Sequence, residues 1–196
     1  MAKEQRVLTE AELNSMRGAC SNGLELAIFE TLRSTGCRNN ELVNILVEDL
    51  NLDQNEVYIR MPKRKVHWKK DGGFDSVSEP RYTVLDQAAV AAVRAYLKTR
   101  DTRPKSKVFP RTTRALRDMA KRWASEGGVQ RPEEVHPHTF RHTRGTYLLA
   151  SGVPEPYILQ MLGWSKASAT FRKTYQHAPR DIIKDRVLKA GQGGSQ

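Results

Sequence analysis

Apolar residues return at helical spacing along nearly the whole chain, and one interval breaks that rhythm. Between Asn51 and Leu85 two runs, Val57-Tyr-Ile-Arg-Met61 and Tyr82-Thr-Val-Leu85, gather β-branched and aromatic residues, with Asp71-Gly-Gly between them. Such side chains suit a pleated, half-buried surface. The interval predicts one β-hairpin or small antiparallel sheet with a long, basic connection. The fold class that follows is α+β, mainly α-helical with a small antiparallel β-sheet, in a single domain.

The flanking helices announce their ends. Thr9 with Glu12 forms a capping box that opens a helix through about Met16. Leu24, Ala27, Ile28 and Leu32 mark a second helix, stopped at Thr35-Gly36, where glycine suits a left-handed cap. A third is predicted from Asn39, with Leu42, Val43, Ile45 and Leu46 on its apolar side. After the sheet, Asp86 caps a helix carrying Val90, Val93 and Leu97 that ends near Arg100. Beyond Pro110 the pattern is helical throughout, punctuated by Gly127-Gly128, Gly152-Val-Pro154 and Gly163.

Charge points to the partner. The 196 residues carry a formal net charge of +11, which makes a polyanion the natural ligand. No apolar run approaches the roughly 18 residues of a membrane span, and the N-terminal residues lack the apolar core of a signal peptide. The two cysteines, Cys20 and Cys37, offer neither a disulfide framework nor a cysteine-based zinc site. These features predict a cytoplasmic, DNA-associated domain with no membrane and no small-molecule substrate. Arg60, Lys63, Arg64, Lys65, Lys69 and Lys70 form an acid-free run on the predicted hairpin, a finger of charge that could enter a DNA groove. Arg111, Arg114, Arg117, Lys121 and Arg122 recur at helical spacing and could lay a stripe along phosphates. Each cluster alone could equally be a solvated face. Two clusters on a basic chain favour DNA.

His138-Thr-Phe-Arg141 sets an imidazole and a guanidinium at i and i+3, on one face of a helix. Spacing alone does not single it out, since His177-Ala-Pro-Arg180 repeats it. Order and context do. Upstream stands Thr35-Gly-Cys-Arg38-Asn-Asn-Glu41, an arginine just past a helix-ending glycine; downstream stand Leu162-Gly-Trp164 and Tyr175-Gln-His177. Taken singly, Arg38 could pair with Glu41 and Trp164 could be core.

The ordered set resembles the tyrosine recombinase family of the phage integrase type. The stretch Pro137-His-Thr-Phe-Arg-His-Thr-Arg-Gly-Thr-Tyr-Leu-Leu-Ala-Ser-Gly-Val153 is closest to its pattern, and the likeness runs over residues 7 to 183. The resemblance implies the family's catalytic-domain fold over 1–190, and the Gly-rich 191–196 is expected to be a flexible tail. Because the pattern starts within the first ten residues, the N-terminal core-binding domain that most members carry is expected to be missing, as in a catalytic domain alone or a short recombinase. It also implies strand cleavage and rejoining through a transient 3′-phosphotyrosine, with no metal or nucleotide cofactor. Arg38 and Arg141 would hold the non-bridging oxygens, since planar guanidinium forks suit phosphate. Tyr175 would be the nucleophile and His138 would assist its proton transfer. Trp164, with one indole N–H, could donate to a phosphate oxygen without exchanging a proton. Lys63 would protonate the departing 5′ oxygen, with Lys65 the alternative. His142 is taken as structural support, pointing away from the His138 face.

The partners implied are double-stranded DNA and further copies of the chain, assembled on DNA as a tetrameric synapse. Two other readings compete: a type IB topoisomerase, with similar chemistry on one strand, and a DNA-binding regulator in which the tyrosine is incidental. The tryptophan after Leu162-Gly163 stands where the family more commonly has histidine, and the interval from Trp164 to Tyr175 is slightly long for it.

Overall fold

A computed structural model describes residues 6–60, 80–100 and 102–164. The helical stretches begin where the sequence supplies caps. Helix α1 (Glu10–Gly18) opens on Thr9, which accepts from the Glu12 amide while the Glu12 carboxylate accepts from the Thr9 amide. Helix α2 (Gly23–Thr35) opens on Asn22 and closes on Gly36 at φ +59°, a left-handed residue. Helix α3 (Asn39–Leu42) is a single turn. Three short strands follow: β1 (Leu50–Asn51), β2 (Glu56–Ile59) and β3 (Arg81–Val84), antiparallel in the order β1-β2-β3. Tyr58 faces Tyr82 and Ile59 faces Arg81 across β2 and β3. Then come α4 (Gln87–Leu97), capped by Asp86, α5 (Thr113–Glu126), α6 (Pro137–Ala150) and α7 (Glu155–Leu162).

The α+β class and the two expected strands are borne out, with β1 added as a third. One helix is not. The segment predicted to continue from Asn39 through Leu46 leaves the helix at Leu42, because its backbone groups are taken by a distant segment. The Ile45 carbonyl accepts from Val108 N at 2.9 Å, and Val47 N and Glu48 N donate to Ser106 and Pro104. Long-range pairing overrides local helical spacing here.

The core forms around α2, which packs against α4 and α6. Phe29 meets Trp123 and Phe140 edge-on, with ring centroids 5.6 and 5.4 Å apart. A smaller apolar group, Leu148, Ile158, Leu159 and Leu162, fastens α7 to α6, with Trp164 packed against it. That clamp brings the C-terminal end of α7 beside the α2–α3 junction. Among the described residues, no helix is long and apolar enough to cross a membrane.

Candidate active site

The site is built where α2, β3, α6 and α7 meet. The chain leaves α2 through Gly36, whose left-handed conformation turns the following residues back over α6. A Cβ at Gly36 would also lie 2.8 Å from Leu162 Cδ2, so glycine satisfies both the turn and the close approach. Cys37 is fully buried next to it, and burial pushes its thiol up to about 11, leaving it protonated and inert. Arg38 then emerges with its side chain 19% exposed, enough to be reached by a ligand.

Arg38 is held by Glu41. Its amide donates to Glu41 Oε2 at 2.8 Å and its Nη1 to Oε1 at 3.0 Å, while Nη2 donates to the Gly163 carbonyl at 3.2 Å. Arg141, 1% exposed on α6, donates through Nη1 to the Gly36 carbonyl at 3.0 Å and through Nη2 to the Leu162 carbonyl. Its guanidinium lies over the Trp164 ring, Cζ 4.4 Å from the centroid, a cation–π contact. A third arginine joins them. Arg81, at the start of β3, donates Nε to the Met161 carbonyl at 2.8 Å and its Nη1 and Nη2 to the two oxygens of Glu41 at 3.1 and 2.9 Å.

The last carbonyls of α7, from Met161, Leu162 and Gly163, thus each accept from a different arginine. A helix C-terminus carries about half a negative charge on such carbonyls, so it attracts the guanidiniums. Among the described residues, Arg38 and Arg81 share the Glu41 carboxylate while Arg141 is held by carbonyls, which gathers three guanidiniums at one helix end. Two arginines, backbone-anchored and directed to one place, make a fork for an anion such as a phosphodiester.

His138 lies beside this fork. Burial, and then the charge of Arg141, hold its imidazole below its ordinary pKa, with His136 and Arg38 adding to the effect. It is therefore neutral near pH 7, the state a proton acceptor needs. His142 corrects the sequence reading. One helical turn on from His138, it shares that face rather than pointing away, and the two rings lie 6.2 Å apart. Burial and the neighbouring His138 push it down to about 4.

The structure therefore brings Arg38, His138, Arg141 and Trp164 together. Lys63, Arg64, Lys65, Lys69, Lys70 and Tyr175 lie outside the described residues. Arg60 is gripped by Asp49 and Glu48, both at 2.7 Å, so its charge is locally balanced. Arg114, Arg117 and Lys121 are exposed on α5, and Arg111 is exposed just before it. Lys121 and Arg117 help depress His136, after burial, so the stripe runs beside the N-terminal end of α6. Arg122 leaves the stripe to pair with Glu25 and Glu126. Sequence reasoning missed Arg81. Its signal was a charged residue two positions before Thr83, on the inward face of the strand.

A mainly helical domain with one small antiparallel sheet, its arginines from separate elements gathered at the end of the last described helix, has the fold of the tyrosine recombinase catalytic domains. The chain belongs to that family: the phage integrase family matches residues 6–180. Among curated relatives, tyrosine recombinase XerA of Saccharolobus solfataricus is 26% identical over 188 residues, covering 96% of this chain and 57% of XerA. The fold matches that of a XerA recombinase crystal structure with a TM-score of 0.75 at 23% identity, over 100% of this chain and 66% of that one. It also matches XerH recombinase bound to difH substrate in a pre-cleavage complex, with a TM-score of 0.66 at 18% identity, over 98% of this chain and 54% of XerH. The chain spans less than two thirds of the length of each of these proteins.

Proposed function

We propose that this protein is a site-specific DNA recombinase that breaks and rejoins strands through a 3′-phosphotyrosine intermediate. The observation that carries the reading is the fork itself: Arg38 and Arg141, from different elements, fixed on carbonyls of one helix end beside a neutral His138. Residues 1–190 form the catalytic unit, with 191–196 as a tail. Double-stranded DNA is the substrate, a reading supported by the XerH recombinase, which is bound to its difH substrate. Copies of the chain assemble on it as a tetrameric synapse within the cytoplasm.

Arg38 and Arg141 hold the two non-bridging oxygens of the scissile phosphate, where negative charge develops in the transition state. The Tyr175 hydroxyl attacks phosphorus and a P–Oη bond forms. Its proton, held near pKa 10 in the ordinary phenol, passes to His138. The P–O5′ bond breaks, and O5′ takes a proton from Lys63, leaving a free 5′ hydroxyl. Trp164 donates its indole N–H to a phosphate oxygen and covers the Arg141 guanidinium. Rejoining is the reverse, with a 5′ hydroxyl from a second duplex attacking the phosphotyrosine. Arg64, Lys65, Lys69 and Lys70, between β2 and β3 in sequence, with Arg111 and, along α5, Arg114, Arg117 and Lys121, contact backbone phosphates, and Arg60 joins them only by exchanging its Asp49 and Glu48 partners.

The test uses nicked duplexes built from inverted or direct repeats in the DNA flanking the gene. Wild-type protein traps a covalent adduct, and peptide mapping finds DNA on the peptide containing Tyr175. Tyr175→Phe removes only the hydroxyl, so it binds the same duplex and forms no adduct. Adduct on another residue, or full cleavage by the Phe variant, refutes the assignment. Adduct without strand exchange between two duplexes identifies a topoisomerase-like activity, and a band shift without adduct identifies a regulator.

A further inference from the structure

Arg81 has no place in the chemistry above, yet it is the most enclosed of the site's charges after Arg141 and Glu41: its residue is 6% exposed and Glu41 is 2%. A buried guanidinium is costly unless its donors are used. Arg81 uses them on two supports of the fork at once. Its two Nη groups grip both oxygens of Glu41, the same oxygens that receive the Arg38 amide and Arg38 Nη1. Its Nε holds the Met161 carbonyl, adjacent along α7 to the carbonyls that anchor Arg141 and Arg38. Gly163 packs flat against it, since a Cβ there would lie 2.6 Å from Arg81 Nη1. The carboxylate sets the rotamer of Arg38; Arg81 sets the carboxylate and the end of α7.

We infer that Arg81 is a positioning residue of the phosphate fork, acting through Glu41 and the C-terminal end of α7 to aim Arg38 and Arg141 at one phosphate. It touches no reacting atom. A plain structural ion pair would contribute to folding and leave the chemistry alone. A positioning role separates the two, because the supports it holds lead directly to Arg38 and Arg141. Misplacing a charged group by about 1 Å can cost on the order of a hundredfold in rate. The inference rests on the recombinase reading for its rate test, and a second measurement frees it from that reading.

Four full-length variants decide it: Arg81→Met, Arg81→Lys, Glu41→Gln with Arg81→Met, and Arg94→Met as a control that breaks an exposed ion pair with Asp53. Arg81→Met takes one of its two arginine partners from the buried Glu41 carboxylate and lowers the unfolding midpoint; the double variant removes both charges and recovers it. Single-turnover adduct formation on the nicked duplex falls by about a hundredfold in Arg81→Met, Arg81→Lys and the double variant, with DNA affinity within about threefold of wild type. The deficit persists on a duplex with a 5′-bridging sulfur, which leaves without a proton. Wild-type rates in the refolded double variant, or rescue by sulfur, overturn the assignment, the latter by moving the defect to proton donation. Should wild-type protein form no adduct on any duplex, the recombinase reading fails alone. Arginine side-chain NMR of the DNA-free protein then decides: slow guanidinium rotation at Arg38 in wild type and fast rotation in Arg81→Met support the role, and unchanged Arg38 signals refute it.

Discussion

The histidine face of α6 makes stability fall with acid in a way that one substitution isolates. His142 is pushed down to about 4 in the folded protein, against an ordinary value of 6.5, chiefly because it is half-buried and secondly because His138 lies beside it. The folded value lies below the unfolded one, so the folded state requires a neutral ring. Its contribution is complete above pH 6.5 and is lost as pH falls from there towards 4. Each unit of difference corresponds to about 1.4 kcal/mol, so the full loss approaches about 3 kcal/mol, of which about 2 kcal/mol has gone by about pH 5. That is a large share of the roughly 5–15 kcal/mol that holds a domain folded. Urea unfolding of wild type and His142→Gln at about pH 7.5 and about pH 5 measures it. Wild type should lose about 2 kcal/mol more than the variant between the two conditions. An equal loss in both proteins would refute the reasoning, because groups away from the histidine face of α6 titrate alike in the pair and cancel.

Two further outcomes follow from the same geometry. Replacing Arg111, Arg114, Arg117 and Lys121 with alanine removes up to four exposed cations, so the slope of log affinity against log salt should flatten by about 3 to 4, equally for all duplexes; an unchanged slope would remove α5 from the interface. Gly36→Ala forces a methyl group into the left-handed region and towards Leu162 Cδ2, 2.8 Å away, and should destabilise the fold by about 2–3 kcal/mol in urea unfolding; a change below about 0.5 kcal/mol would mean that the α2–α3 junction relaxes freely.

What was legible in the sequence was local. Thr9 with Glu12, Asp86 before Ala89 and Gly36 after Thr35 each satisfy helix-end groups within a few residues, and each cap stands where its residue type predicted. The order of Arg38, His138, Arg141 and Trp164 was legible because Arg38, His138 and Trp164 sit at element boundaries marked by Gly or Pro and Arg141 follows His138 by about one turn of α6. The helix predicted beyond Leu42 failed because its competitor is far along the chain: residues 45–48 pair with 104–108, which no window of sequence around Asn39 contains. His142 was misplaced by reasoning from its neighbour Arg141, when the relevant neighbour on a helix is one turn away.

Arg81 shows why the remainder was hidden. Its partners are Glu41, 40 positions earlier, and the Met161 carbonyl, 80 positions later. A carbonyl has no residue identity, so no pattern of side chains announces that α7 ends on three arginines. The sequence shows two of these arginines in motifs and the third as an unremarked first residue of a strand. Only when α7 closes against α6 through Leu148, Ile158, Leu159 and Leu162 do its carbonyls reach all three. The fork therefore depends on apolar packing as much as on charge. Anything that loosens that small apolar group should disperse the arginines before it unfolds the main core around Phe29, because the two groups of apolar residues are distinct.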